Sequence, residues 1–176
     1  VLVTGGTGYL GRAIVAALLR AGHAVVVFGR SASTSGVNGV NAAALDGDIR
    51  DADAVRRAAE GCDAIIHAAA LVAVWRQRRE DFDDVNVGGL VNVLDAARAH
   101  DIPRIVYTSS FLALPPAGGT DVATCNDYQR TKAAASIVAE RAIADGAPLI
   151  RMFPGVIYGP GHMTDGNLVG RMIADH

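Results

Sequence analysis

Apolar residues fall along this chain in two alternating patterns, short continuous runs and longer stretches with helical spacing. Val1–Val3 is a brief apolar run. Tyr9–Ala21 then carries Leu10, Ile14, Ala17 and Leu18 along one helix face, and Gly22 closes it. Ala24–Phe28 is apolar without a break, which predicts a strand covered on both faces. A Ser/Gly/Asn-rich loop, Ser31–Gly39, leads to a weak strand at Ala42–Leu45. Asp51–Glu60 predicts a short helix with Asp51 as its N-cap, and Ala64–Ala69 a further strand. A long helix is expected from about Glu80 to His100, a buried strand at Arg104–Thr108 and a Pro/Gly-rich loop over residues 111–124. A helix over about Asn126–Asp145 and a strand at Leu149–Met152 follow. Strands alternating with helices, with no tight hairpin signal, imply βαβ units. The expected fold is therefore α/β, a doubly wound parallel sheet with right-handed crossovers.

Composition narrows the setting. The 176 residues are one domain's worth, with 51% hydrophobic and 19% charged side chains, and they carry no internal repeat. A net charge of −2 with no basic block argues against nucleic acid as a partner. The apolar run Ile65–Val74 falls short of the roughly 20 residues a membrane span needs, and His67 interrupts it. Cys62 and Cys125 have no metal or redox spacing. They read as reduced thiols of a cytoplasmic protein, with no metal site expected. Both ends look cut, since Val1 already lies in a strand pattern. Leu168, Val169, Met172 and Ile173 keep helical spacing with no stop signal before His176.

The first strand-to-helix junction reads Val1-Leu-Val-Thr-Gly-Gly-Thr-Gly-Tyr-Leu-Gly11. Gly5 suits a tight turn, Gly8 lets the backbone approach a pyrophosphate, and Gly11 lets helix and strand pack closely. A diphosphate would then sit on the helix's amino end, so the junction predicts a dinucleotide-binding Rossmann fold. The acid that grips an adenosine ribose is expected about 20 residues on, at the end of the second strand. Phe28-Gly29-Arg30-Ser31 stands there, without a carboxylate. Arg30 is suited to a 2′-phosphate, which favours NADP over NAD. Asp48 and Ile49 follow the third strand and are placed to meet the adenine from the side.

Lys132 is the only lysine in the chain, in a sequence otherwise supplied with arginine, and it lies four residues after Tyr128. Helical spacing puts that phenol and ammonium on one face. A tyrosine's ordinary pKa near 10 is high for acid–base work, and a neighbouring positive charge lowers it. Ser110 ends the predicted strand Arg104–Thr108 two residues on, at the carboxyl edge where α/β sites form, and would hold a substrate oxygen. The trio suits proton transfer at an alcohol or carbonyl while a nicotinamide cofactor exchanges hydride.

These stretches resemble the short-chain dehydrogenase/reductase superfamily in its extended branch, within the NAD-dependent epimerase/dehydratase family. The resemblance rests on Thr4–Gly11, Gly47–Asp51, His67–Ala70, Asn86–Leu94, Val106–Ser110, the Tyr128–Lys132 pair and Pro154–Gly161. The nearest likeness is to its dihydroflavonol-reductase-like and farnesol-dehydrogenase-like subgroup. It implies Tyr128 as acid/base, Lys132 as its partner on the nicotinamide ribose, and Ser110 as the residue orienting substrate. It places Tyr9 and Leu10 with the glycine loop against the cofactor. Ala68, Ala69 and Leu71 would line the cofactor, Asn86 would lie near its nicotinamide half, and Pro154 and Val156 would face the nicotinamide. His67 is expected to be a satisfied histidine at a strand end.

Members of the branch carry a further C-terminal substrate region, so residues from about 155 onward would only begin it. Phe111-Leu112 follows Ser110 where sugar-nucleotide dehydratases place acids, which argues against dehydration. The leading expectation is a dehydrogenase/reductase acting on a hydrophobic alcohol or ketone, with Leu71, Val72, Val74 and Trp75 as an apolar wall. The alternatives are a nucleotide-sugar epimerase with tightly bound NAD and a non-catalytic NADP-sensing module. The two long helices are the expected face of a homodimer.

Overall fold

The computed structural model describes residues 1–37, 41–73, 75–119, 121 and 125–160. In chain order its elements are β1 (Leu2–Thr4), α1 (Tyr9–Arg20), β2 (Val25–Gly29), β3 (Ala42–Asp46), α2 (Ala52–Ala59) and β4 (Ile65–His67). After these come α3 (Glu80–Asp83), a π-helical turn (Asp84–Gly88), α4 (Gly89–Ala99), β5 (Ile105–Thr108), a 3₁₀ turn (Phe111–Ala113), α5 (Asp127–Ala144) and β6 (Leu149–Met152). The expected helix at Leu168–Ile173, and Val74 of the expected apolar wall, lie outside the described residues.

All six strands are parallel, in the order β3-β2-β1-β4-β5-β6. The chain builds outward from β1 to β3, then returns to the other side of β1 for β4 and continues to β6. The strand order therefore reverses between β1 and β4, and their carboxyl ends open a crevice of the kind that holds ligands in such sheets. Adjacent residues of β1 point to opposite layers. Leu2 joins Phe28, Ile65, Leu90 and Ala135 beneath α2, α4 and α5. Val3 joins Val27 and Val15 beneath α1. Strands covered on both faces need apolar side chains at successive positions, which is why the runs are continuous rather than alternating.

The cap expected at Asp51 forms, and Asn126 caps α5 in the same way. Asp51 accepts a hydrogen bond from the Ala54 amide at 3.0 Å, and Asn126 accepts one from Gln129 at 2.8 Å. Two differences bear on the site. β4 is only Ile65–His67, so Ala68 and Ala69 already belong to the loop beyond it. The helix expected from Glu80 to His100 follows one path, but Asp84–Gly88 is wound as a π-turn. A π-turn inserts a residue into the helical repeat and re-aims the side chains around it, a shift that apolar spacing does not register. No helix among the described residues is long and apolar enough to cross a membrane.

Candidate active site

The glycine loop is shaped by close backbone contact. Gly5 has φ +70°, and a Cβ there would stand 2.6 Å from the Ala69 nitrogen. A Cβ on Gly11 would stand 2.1 Å from the Gly5 carbonyl oxygen. The loop is thus folded onto itself and against the chain leaving β4. Gly8 caps α1 without a side chain, and the helix has no acid in its first turn. Its amino end is open to an anion, as a pyrophosphate requires. The Tyr9 hydroxyl donates to the Gly159 carbonyl, tying the start of α1 to the segment beyond β6.

Two adjoining cavities run along the carboxyl edge of the sheet. One, of about 310 Å³, takes in Gly5, Gly8, Phe28, Arg30, Asp48, Ile49, Ala68 and Ala69. The other, of about 460 Å³, takes in Gly5, Gly8, Tyr9, Leu10, Gly11, Ser110, Tyr128, Lys132 and Pro154. Most of the expected cofactor and catalytic residues therefore meet on one continuous groove. A dinucleotide fits its donor set: open helix amides, side-chain-free glycines at the turn, and arginine rather than acid at the end of β2. Asp46 stands beside Gly29 in the strand register. Its carboxylate is occupied by Ser33, whose amide and hydroxyl donate at 2.9 and 2.5 Å. A further cavity of about 390 Å³ lies at the opposite edge, among Ile102, Pro103, Gly146 and Pro148, where the strands begin. Among the described residues no three His, Cys, Asp or Glu side chains gather as they would around a metal ion.

Ser110 is buried, and its Oγ accepts from the Leu112 amide at 3.2 Å, capping the 3₁₀ turn. That bond leaves the hydroxyl proton free for a second partner. Tyr128 and Lys132 share a face of α5. The Lys132 ammonium donates to the Thr108 carbonyl at 3.0 Å and lies 6.0 Å from the Tyr128 ring centre and 5.2 Å from that of Tyr107. Burial draws Lys132 down to about 8. Tyr128 is pushed above its ordinary pKa by burial, with the Ser110 hydroxyl pulling the other way. This corrects the expectation that Lys132 lowers the phenol's pKa. In the chain alone the ammonium is turned to Thr108, and desolvation dominates at the tyrosine.

His67 is buried at the end of β4 as expected, but only one of its ring nitrogens is paired among the described residues, so it is not the satisfied histidine expected. Its Nδ1 lies 2.7 Å from the Thr4 hydroxyl and its ring stacks on Tyr107, with centres 5.6 Å apart. Burial, with the Lys132 charge behind it, holds the imidazole down to about 3. Its Nε2 and the Tyr107 hydroxyl are buried without hydrogen-bond partners among the described residues.

Four residues expected at the groove lie outside the lining of both cavities. Asn86, on the π-turn, is not a groove residue. Its side chain accepts from the Leu71 amide at 2.8 Å and donates to the Leu71 carbonyl at 3.2 Å and the Thr131 hydroxyl at 3.0 Å. Its hydrogen-bonding groups are committed to joining the loop after β4 to α5. The same bonds occupy the backbone of Leu71, which does not line either cavity; Ala70 and Val72 do. Val156 is 54% exposed and does not line the groove, whereas Gly155 and Ile157 do so beside Pro154. Trp75 is likewise 75% exposed rather than part of a wall.

Sequence reasoning also passed over Arg50 and an ionic frame around α5. Arg50 grips Asp48 through two bonds, at 3.0 and 2.7 Å, and holds its carboxyl below the usual range. The acid expected to meet adenine is thus already paired, and the Asp48-Ile-Arg50 spacing was its signal. Arg79 pairs with Asp127 at 2.8 Å, and Arg130 with Asp83 at 2.6 Å and Asp127 at 3.3 Å. These pairs fasten α3 to the first turns of α5, next to Tyr128.

The whole chain, residues 1–176, matches the NAD dependent epimerase/dehydratase family. It is 36% identical over 183 residues to 2-alkyl-3-oxoalkanoate reductase of Stenotrophomonas maltophilia, covering 98% of this chain and 54% of that protein. It is 35% identical over 184 residues to 3 beta-hydroxysteroid dehydrogenase/Delta 5-->4-isomerase of Mycobacterium tuberculosis, covering 93% and 48%. The chain thus spans about half the length of these relatives. A mutant of uronate dehydrogenase from Agrobacterium tumefaciens, complexed with NAD, superposes with a TM-score of 0.72 at 27% identity, covering 84% of this chain and 57% of that one. The glycine loop, the switch-point groove and these likenesses together place the chain in the NAD-dependent epimerase/dehydratase family.

Proposed function

We propose that the protein is a nicotinamide-dependent oxidoreductase acting at the alcohol or carbonyl carbon of a hydrophobic substrate, with Tyr128 as the acid/base. One observation carries this reading: Ser110, Tyr128 and Lys132 wall the same cavity as the glycine loop. When bound, the nicotinamide supplies or accepts hydride. In reduction, Tyr128 gives its phenolic proton to the carbonyl oxygen; in oxidation it takes that proton back. Burial raises the phenol's pKa, which favours its proton-bearing form and suits the reductive direction. Ser110 donates to the same oxygen as negative charge grows there. Lys132 contributes a compact ammonium that a planar guanidinium would not replace.

Arg30 and the occupied Asp46 support NADP over NAD. Val72, Pro154 and Ile157 give the catalytic cavity an apolar side. Two relatives are named for an alkyl-substituted oxoalkanoate and a hydroxysteroid, which accords with an apolar substrate. Exposed Val91 on α4 and Ile137 on α5 are where a second copy would pack.

The test is NADPH oxidation by the intact protein against a panel of apolar ketones and sugar nucleotides. Tyr128→Phe should cut kcat by 10²-fold or more, the typical worth of a positioned acid, while cofactor affinity is kept. Turnover of a sugar nucleotide with no net change in NADPH would instead select the epimerase reading.

A further inference from the structure

We infer that Arg76 clamps the diphosphate of the bound dinucleotide, on the side of the groove opposite the amino end of α1. The inference rests on the dinucleotide reading of the groove. Arg76 belongs to the loop between β4 and α3. It lines both cavities, the one with Asp48 and Ile49 and the one with Ser110, Tyr128 and Lys132. Few residues do so, and they mark the place where the two halves of a dinucleotide join. Gly5, Thr7 and Gly8 are among them on the glycine-loop side, with Ala68 and Ala70 along the chain leaving β4.

The neighbouring arginines are engaged elsewhere. Arg50 pairs with Asp48 at 2.7 Å and Asp81 at 3.7 Å, Arg78 with Asp81 at 3.9 Å, and Arg79 with Asp127 at 2.8 Å. Arg12, on the first turn of α1, donates to the Thr7 and Ser35 carbonyls at 3.0 and 3.2 Å. Arg76 pairs with none of the described acids, although Asp81 shares a cavity wall with it.

Charge balance asks for such a group. A diphosphate carries two negative charges, and a helix amino end offers the equivalent of only about half a positive one. The glycine loop contains no lysine or arginine from Thr4 to Gly11. Arg30 also lines both cavities, but it stands at the end of β2, where the adenosine ribose is read. A guanidinium on the opposite loop completes the cradle, because its planar fork matches two phosphate oxygens at once.

Titration calorimetry on the intact protein separates these roles, using NADP, NAD, ADP-ribose and adenosine as probes. Arg76→Gln should weaken NADP, NAD and ADP-ribose by a common factor of about ten or more, as for loss of one charged hydrogen-bond donor. Adenosine, which has no phosphate, should bind unchanged. Arg76→Lys should recover part of the loss, and the salt dependence of binding should flatten in Arg76→Gln. Unchanged affinity for all three phosphate-bearing probes would overturn the clamp, and so would a loss confined to NADP. If the wild-type protein binds none of the dinucleotide probes, the reading of the groove fails and the clamp with it. The side chain is exposed, so the variant's fold can be checked by an unchanged melting temperature.

Discussion

Lys132 is held at a cost to stability. Its ammonium is buried, and its pKa falls from an ordinary 10.5 to about 8. A lowered lysine pKa means that the unfolded chain holds the proton more tightly than the native one. Below pH 8 both states are charged and the native state bears the full penalty, on the order of 3 kcal/mol. Between pH 8 and 10.5 the penalty fades, and stability from this group rises with pH. Lys132→Met should therefore raise urea stability at pH 7 by about 1–2 kcal/mol, once the lost bond to Thr108 is offset, and abolish turnover. The gain should shrink as the pH approaches 10. His67 has the same sign in a different window. Its ordinary pKa of 6.5 falls to about 3, so it supports the fold above pH 6.5 and progressively less as the pH drops. Between pH 7 and 5 the loss should approach about 2 kcal/mol. Urea midpoints of His67→Gln over that range should show a shallower fall than wild type.

Between elements, the decisive join is made by Asn86. It bridges Leu71, which follows β4, and Thr131, which lies on α5 between Tyr128 and Lys132. Asn86→Ala would leave the Leu71 backbone and the Thr131 hydroxyl without that partner, costing about 2 kcal/mol. It should also raise the Kd for the dinucleotide, because Ala68 and Ala70 belong to the loop it anchors. Chemical denaturation and cofactor titration of the same variant check both effects; a stability loss with unchanged Kd would detach the loop from the groove. This join was not legible in the sequence. Its partners lie 15 and 45 residues away, and the π-turn that aims Asn86 leaves no mark in the apolar spacing. The glycine loop and the Tyr128–Lys132 pair were legible because each is local: one turn needs its glycines, and one helix face needs its spacing. The Arg50–Asp48 pair lay in plain view as well, but which side of the strand end it faces is set by the fold.

At the scale of the whole molecule, the sheet order makes the groove. Reversal of the strand order between β1 and β4 brings residues 5–11, 30, 48–50, 68–70, 108–110, 128 and 132 to one edge. The alternation of strand and helix predicted that edge. Which residues of the segment after β6 line it depends on packing, and Ile157 does so where Val156 does not. The proposed preference for NADP belongs to this scale, because it rests on where the fold sets Arg30 along the groove. Arg30→Ala should reduce the preference for NADP over NAD by about tenfold, the worth of one charged hydrogen bond. Competition titration with both cofactors measures that ratio, and an unchanged ratio would remove Arg30 from the phosphate site.

The join made by Asn86 also works as a gauge. One amide sets the gap between the loop that follows β4 and the helix that carries Tyr128 and Lys132, and it does so without touching the groove. That gap is held by a side chain shut away from solvent, since Asn86 is buried beneath the loop it ties down.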